Sequence, residues 1–269
     1  MLCLKLTLAY TGTAYSGWQI QEKKNPPPTI QGELERALGS ICKQHVRVFG
    51  AGRTDAGVHA LAQVAHCKVP DLPAINWLLA LNTCLPPDIR VLAARPTHEG
   101  FHACFDAQSK TYRYELWLSR LVPPRLYPFV WGCGPLDLAA LEAALPLLEG
   151  RHDFASLQNK GSDLDNTVRT VYSLTCKLAA AGRDSLQKQD LLLELHVRAN
   201  GFLKQMVRNM VGLLVAVGRH KFDAAHIPAL LAACARHQAP PTAPARGLTL
   251  LEVHYDEQEN TQTGQSHLL

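Results

Sequence analysis

The stretch Gly52-Arg53-Thr54-Asp55-Ala56-Gly57-Val58-His59-Ala60 places one carboxylate between two glycines, with a guanidinium shortly before it and an imidazole shortly after. That grouping suits a reactive acid presented to a ligand. Alternation in His45-Val46-Arg47-Val48-Phe49 predicts a strand just upstream, so Asp55 is expected in a turn at a strand end. There Gly52 and Gly57 permit φ > 0 and a close approach of backbone to ligand. An Asp between glycines is also what an ordinary hairpin turn uses, with Arg53 a solvated charge, so these nine residues by composition leave both readings open.

As a string, however, GRTDAGVHA resembles the signature of the tRNA pseudouridine synthase A family. The resemblance continues in the family's order. Upstream lie Tyr10-Thr11-Gly12-Thr13-Ala14-Tyr15-Ser16-Gly17-Trp18-Gln19 and Thr29-Ile30-Gln31-Gly32-Glu33-Leu34-Glu35. Downstream lie Phe101-His102-Ala103-Cys104-Phe105-Asp106-Ala107, Thr111-Tyr112-Arg113-Tyr114, Gly150-Arg151-His152-Asp153-Phe154, Met206-Val207-Arg208-Asn209-Met210-Val211-Gly212, and Pro241-Thr242-Ala243-Pro244 with Gly247-Leu248. Nearly all of the chain except the tail is covered. Three positions depart from the pattern: Cys104 stands where F-H-A-R-F has Arg, Ala239-Pro240 replaces Ala-Gly, and Thr249 replaces an aromatic residue. None is Asp55, Tyr112 or Arg208, but the lost Arg removes one candidate RNA contact.

The resemblance implies an isomerase that converts uridines of the tRNA anticodon stem and loop, at positions 38, 39 and 40 of the tRNA, to pseudouridine. It also implies a homodimer in which one tRNA touches both subunits. Pseudouridine formation breaks the N1 to C1′ bond, turns the uracil and joins C5 to C1′. It needs a carboxylate and a pocket that retains the base, and neither oxidant nor metal, so no cofactor is expected. By resemblance Asp55 is the catalytic carboxylate. It acts as nucleophile at C1′, as nucleophile at C6 or as base at C2′, and each option requires it ionised.

Arg208 is implied to pair with Asp55; a guanidinium beside a carboxylate favours the charged form by about one to three pKa units. Tyr112 is implied to stack on the target uracil and to help remove the C5 proton. Arg53 is implied to move with the flipped base, whose unpairing costs about a few kcal/mol. The candidate catalytic residues are thus Asp55, Tyr112 and Arg208, and the candidate substrate-binding residues are Arg53, Tyr112, Lys204, Lys23 and Lys24. Without the resemblance, Tyr112 reads as a core tyrosine and Arg208 as an exposed helix arginine. Further phosphate contacts are expected among Arg151, Lys160, Arg169, Arg219 and Lys221, which would read backbone and shape rather than sequence.

Two rival readings fit parts of the pattern. Asp55-Ala56-Gly57 superficially matches the D-[ST]-G turn of aspartic proteases built from two identical subunits. Such a dyad shares a proton between like charges, which a nearby Arg53 opposes, and no apolar strand residue precedes the Asp. A noncatalytic RNA-binding module, with Tyr112 and Tyr114 stacking bases, is the other.

Composition bounds these readings. The 269 residues, 47% hydrophobic, suffice for a full core. The formal charge of +4 is mild, so any basic surface must come from local clustering. The eight cysteines are scattered without a C-x-x-C pair and read as reduced core residues. The twelve histidines form no H-x-x-x-H helix or His/Cys cluster, so no metal is expected. Met1 to Tyr10 alternates like a strand rather than a signal peptide, and no apolar run approaches the ~18 residues of a membrane span. A cytoplasmic protein with unpaired thiols is expected.

The elements that must position these residues fall into two halves of similar grammar. We expect an α/β (α+β) fold in which two α/β halves join mixed, largely antiparallel sheets around a central active-site cleft. The boundaries are 1–105 for the half carrying the Asp loop, 106–256 for the second half and 257–269 for a loose tail. Strands are predicted at Leu2 to Tyr10, around Val46 and Val48, and near 63–69, 89–93, 110–118, 167–178, 190–199 and 248–255. Helices are predicted after a Thr29 cap and near 74–84, 136–148, 202–217 and 227–237. In the helix of 202–217, Lys204 and Arg208 are expected to share a polar face, i to i+4.

Overall fold

The computed structural model describes residues 1–22, 24–161, 166–180 and 190–256. Lys23 and the expected tail, 257–269, lie outside the described residues. Period-two alternation makes β1 (Leu2–Tyr10), which buries Leu4, Leu6, Leu8 and Tyr10. β1 pairs antiparallel with both β3 (His59–Val69) and β4 (Ile89–Thr97), while the short β2 (Val48–Gly50) hangs on β3. The second group comprises β5 (Ser109–Trp117), β7 (Gly150–Asp153), β8 (Val168–Ala180) and β9 (Leu191–Ala199), with β6 (Trp131–Gly132) parallel to β5.

With β10 (Leu248–His254) as the joining strand, a single mixed sheet runs in the order β4-β1-β3-β10-β5-β9-β8-β7. This strand is parallel to β3 on one side and antiparallel to β5 on the other. Leu250 is opposite Ala60 across the first ladder and opposite Tyr112 across the second. The last strand therefore brings Tyr112 level with the start of β3, which follows directly from the Asp55 loop.

Helix α1 (Ile30–Cys42) begins where Thr29 accepts from the Gly32 N–H, as its sequence predicts. The other predicted helices are shorter, for local reasons. Asn76 caps α2 (Trp77–Cys84) by accepting from the Leu79 N–H. α3 (Leu138–Ala144) gives way to a 3₁₀ turn that contains Pro146. α5 (Ile227–Ala232) ends before Cys234, whose φ is 49°.

α4 (Met206–Gly218) differs most from expectation. It starts at Met206 because Gln205 is left-handed, with φ 60°. Every residue of α4 except Arg208 and Ala216 is buried, so it is a core helix rather than an amphipathic one. Lys204 precedes it, and the expected shared face with Arg208 does not exist.

All eight cysteines are free; Cys3, Cys67 and Cys133 are buried, but Cys84, Cys104 and Cys234 are exposed, which corrects their reading as core residues. Among the described residues, no helix is long and apolar enough to cross a membrane, and no group of three His, Cys, Asp or Glu side chains is placed to hold a metal ion.

Candidate active site

Asp55 sits in the loop between β2 and β3, and the loop is fastened to the segment that follows β1. The Trp18 N–H donates to the Thr54 carbonyl (3.0 Å) and the Gly57 N–H to the Tyr15 carbonyl (3.3 Å). The Tyr10 hydroxyl and Thr54 Oγ1 share a hydrogen bond of 2.9 Å, and Gln63 Nε2 donates to the Gly52 carbonyl (2.8 Å). The Val58 N–H closes the turn on the Asp55 carbonyl (3.1 Å). Gly57 has φ 79°, as expected, whereas Gly52 is not left-handed. A Cβ at Gly52 would lie 3.5 Å from Lys110 Cε, an ordinary contact.

Arg208, on the first turn of α4, reaches this loop across 153 residues of sequence: its Nη1 lies 2.9 Å from Asp55 Oδ2. Its Nε donates to the Ala243 carbonyl (2.8 Å), and the Ala243 N–H donates back to the Arg208 carbonyl (3.1 Å). The planar guanidinium is thereby held from two directions. The side chains remain 15% exposed for Arg208 and 26% for Asp55, so the pair is partly desolvated yet open to a ligand.

The support behind Ala243 is a polar cluster built around one buried amide. Asn209, fully buried, donates from Nδ2 to the Leu157 carbonyl (2.7 Å) and to Asn159 Oδ1 (3.0 Å). Its Oδ1 accepts from Thr242 Oγ1 (2.7 Å) and Arg236 Nη2 (3.0 Å). Arg236 also donates to the Ala239 and Pro240 carbonyls, 3.1 Å each. The segment can lie this close to α4 because Gly212 has no side chain: a Cβ there would be 2.1 Å from the Pro241 carbonyl oxygen.

A cavity of about 860 Å³ is lined by Asp55, Tyr112 and Arg208 together, and also by Arg53 and Lys204. Tyr112 is buried and meets Phe202 edge-on, with ring centroids 5.1 Å apart at 88°. Burial, helped by Tyr10 and the Asp55 charge, pushes the Tyr112 phenol well above its ordinary pKa, so it stays neutral. Tyr114 is fully buried and donates to the Pro244 carbonyl (2.7 Å); it offers no surface for stacking a base.

Of the remaining expected contacts, Lys24 is exposed and not part of the cavity wall. Arg151, Lys160, Arg169, Arg219 and Lys221 are outside it too. Lys204 Nζ donates to the Lys160 and Gly161 carbonyls (2.9 and 3.2 Å).

The wall also contains residues that sequence reasoning passed over: Arg47, Phe49, His102, Phe105 and Lys110. Lys110 was within reach of pattern reading, since it lies two residues before Tyr112 on one strand and so shares its face. Burial pushes the Lys110 ammonium below the ordinary lysine pKa, with Cys104 opposing and Arg169 adding to the shift. The lining thus carries five cationic side chains, Arg47, Arg53, Lys110, Lys204 and Arg208, against one carboxylate, Asp55. Here is the local clustering that a mild net charge required.

A family described as tRNA pseudouridine synthase matches residues 7–106 and 144–256. The chain belongs to this family. It is therefore a pseudouridine synthase, of an isomerase family. It is 51% identical to a tRNA pseudouridine synthase A of Lawsonia intracellularis over 94% of this chain and 98% of that one. It is 49% identical to a tRNA pseudouridine synthase A of Nitratidesulfovibrio vulgaris over 95% of this chain and 100% of that one. Among solved structures, a Cbf5–Nop10–Gar1 complex has a TM-score of 0.35 and 12% identity, over 92% of this chain and 48% of that one, a slight likeness.

Proposed function

We propose that the chain converts uridines of the tRNA anticodon stem and loop to pseudouridine, with Asp55 as the catalytic carboxylate. What supports this most is the meeting of Asp55, Arg208 and Tyr112 in one cavity lined by a fivefold excess of cations over carboxylates. A polyanion is drawn to such a cavity, and its low-dielectric walls focus the field.

In this reading the target uridine leaves its stack and enters the cavity, and Arg53, exposed in the Asp loop, occupies the space left or meets phosphate. The neutral Tyr112 ring supports the uracil while it turns. Asp55 acts at C1′, C6 or C2′, and Arg208 holds the carboxylate in place and stabilises charge that develops near it. The N1 to C1′ bond breaks, C5 joins C1′, and the proton lost from C5 is matched by one gained at N1, so the isomerisation involves no net redox change. The working unit is a homodimer, with one tRNA spanning both subunits.

Asp55→Asn tests the reading. Pseudouridine formation in the anticodon arm should vanish while tRNA binding persists, and near-normal turnover of the variant would refute the assignment. An RNA-binding module would give no pseudouridine even in the unaltered protein.

A further inference from the structure

Beside the Asp55 cavity lies an aromatic wall that no step of the isomerisation uses. Phe105 is 81% exposed, more than any other large hydrophobic residue described. Its ring lies on that of His102, with centroids 4.0 Å apart and planes at 21°. Phe49, 40% exposed, stacks on His66 (5.1 Å, 18°) and lies 5.9 Å from His102. The Arg47 guanidinium is 5.3 Å from the Phe49 ring centre. Phe49, His102, Phe105 and Arg47 all line the same cavity as Asp55.

The turn that presents Phe105 is built, not loose. His102 Nδ1 accepts from the N–H groups of Cys104 and Phe105 (3.2 Å each), and Asp106 Oδ2 accepts from the His102 N–H (2.7 Å). The Ala103 N–H donates to His66 Nδ1 (3.1 Å). Several polar groups thus hold a phenyl ring in water, where a stacked ligand would remove its apolar face from solvent.

We propose that Phe105, backed by His102 and flanked by Phe49 and Arg47, stacks a second nucleobase of the RNA, one adjacent to the target uridine in its strand. This rests on the RNA-modifying reading above. A nucleobase fits better than a protein side because the wall is continuous with the cation-rich cavity, where Arg47 and Lys110 are within the same lining to meet the phosphates on either side. Cys104 leaves the turn itself without the family's cation, so the ring is its main recognition element. Stacking of this kind is tolerant of base identity, since every base has a π face. The subsite would hold the strand in register without reading its sequence.

The test is a cycle between protein and RNA. Unaltered enzyme, Phe105→Ala and Phe105→Trp are compared on an anticodon stem-loop RNA and on versions abasic at each nucleotide flanking the target. Phe105→Ala should lower kcat/KM on the intact RNA on the order of tenfold, through KM rather than kcat, and Phe105→Trp should restore it. At one flanking position the abasic RNA should cost the unaltered enzyme the same factor and cost Phe105→Ala nothing further. Independent, multiplicative losses at every position, or no loss on the intact RNA, would overturn the proposal. So would a change of oligomeric state in Phe105→Ala, which would mark a protein contact instead. The same cycle read as RNA affinity in Asp55→Asn keeps the two ideas apart. Absence of pseudouridine from the unaltered enzyme refutes the function, whereas an uncoupled cycle with an active enzyme refutes only the stacking site.

Discussion

Asp55 and Arg208 meet at 2.9 Å, yet the two sides of that contact are held by different means. On the Asp55 side the loop is tied by main-chain hydrogen bonds to Tyr15 and Trp18 and by single side-chain bonds from Tyr10 and Gln63. On the Arg208 side the support is a fully buried amide, Asn209, engaged on both its oxygen and its nitrogen and shared with Arg236, Thr242 and Asn159. Many modest bonds to a backbone degrade gradually when one is lost. A network that converges on one buried amide does not, because removing that amide breaks four hydrogen bonds at once.

Asn209→Ala should therefore give the largest effect. It breaks four hydrogen bonds at once and leaves the Leu157 carbonyl and the Thr242 hydroxyl proton without their Asn209 partner, although Arg236 Nη2 keeps Thr242 Oγ1 (2.9 Å), at a cost of about 2–4 kcal/mol. Thermal unfolding should show Tm lowered by roughly 5–10 °C, together with reduced turnover as Ala243 and Arg208 lose their registration. A variant with unchanged Tm would mean that the cluster is not what positions Arg208.

The same contrast governs what the sequence could reveal. The strand carrying Tyr112 and the Thr29 cap depend on neighbours within a few residues, and local pattern predicts both; it predicts the Asp55 turn as well, but not the ties to Tyr10, Tyr15 and Trp18 that fasten that turn. The Asn209 cluster draws on residues 27, 33 and 50 positions away, so no local period records it. The shared face of Lys204 and Arg208 failed for a related reason. Gln205 adopts φ 60°, its side chain engaged by the Asn159 amide, and a left-handed glutamine has no propensity signal. Phe105 lies in the motif running from Phe101 to Ala107, but its exposure is a tertiary fact that a run of residues does not carry.

A smaller effect is expected from Tyr10→Phe on the Asp55 side. It removes the hydroxyl that bonds Thr54 Oγ1 (2.9 Å) and accepts from Gln63 Nε2 (3.3 Å), leaving the main-chain ties of the loop in place. The cost should be about 1 kcal/mol, a fall of a few degrees in Tm, with pseudouridine formation slowed but measurable. If Tyr10→Phe proved as damaging as Asn209→Ala, the two sides would not differ in kind.

Acid should separate the two sides most gently. The first half keeps two buried histidines neutral. His59 Nδ1 accepts from the Gly12 N–H (3.1 Å), and burial lowers its pKa. His66 is pushed down to about 4 by burial and then by His102 and Lys68, with Asp106 opposing. Both pKa values lie below the ordinary histidine value of about 6.5, so as pH falls the unfolded chain takes up protons first. Their stabilisation is whole above about pH 6.5 and is lost as pH falls below it, for His66 progressively toward pH 4. The Asn209 cluster holds only amides, a hydroxyl and a guanidinium, none of which titrates in that window. Hydrogen exchange at pH 7.5 and at pH 5.0, corrected for intrinsic rates, should therefore show protection falling around β3 and the Asp55 loop while α4 keeps its own. Equal loss in α4, or none near His66, would remove the electrostatic part of the distinction.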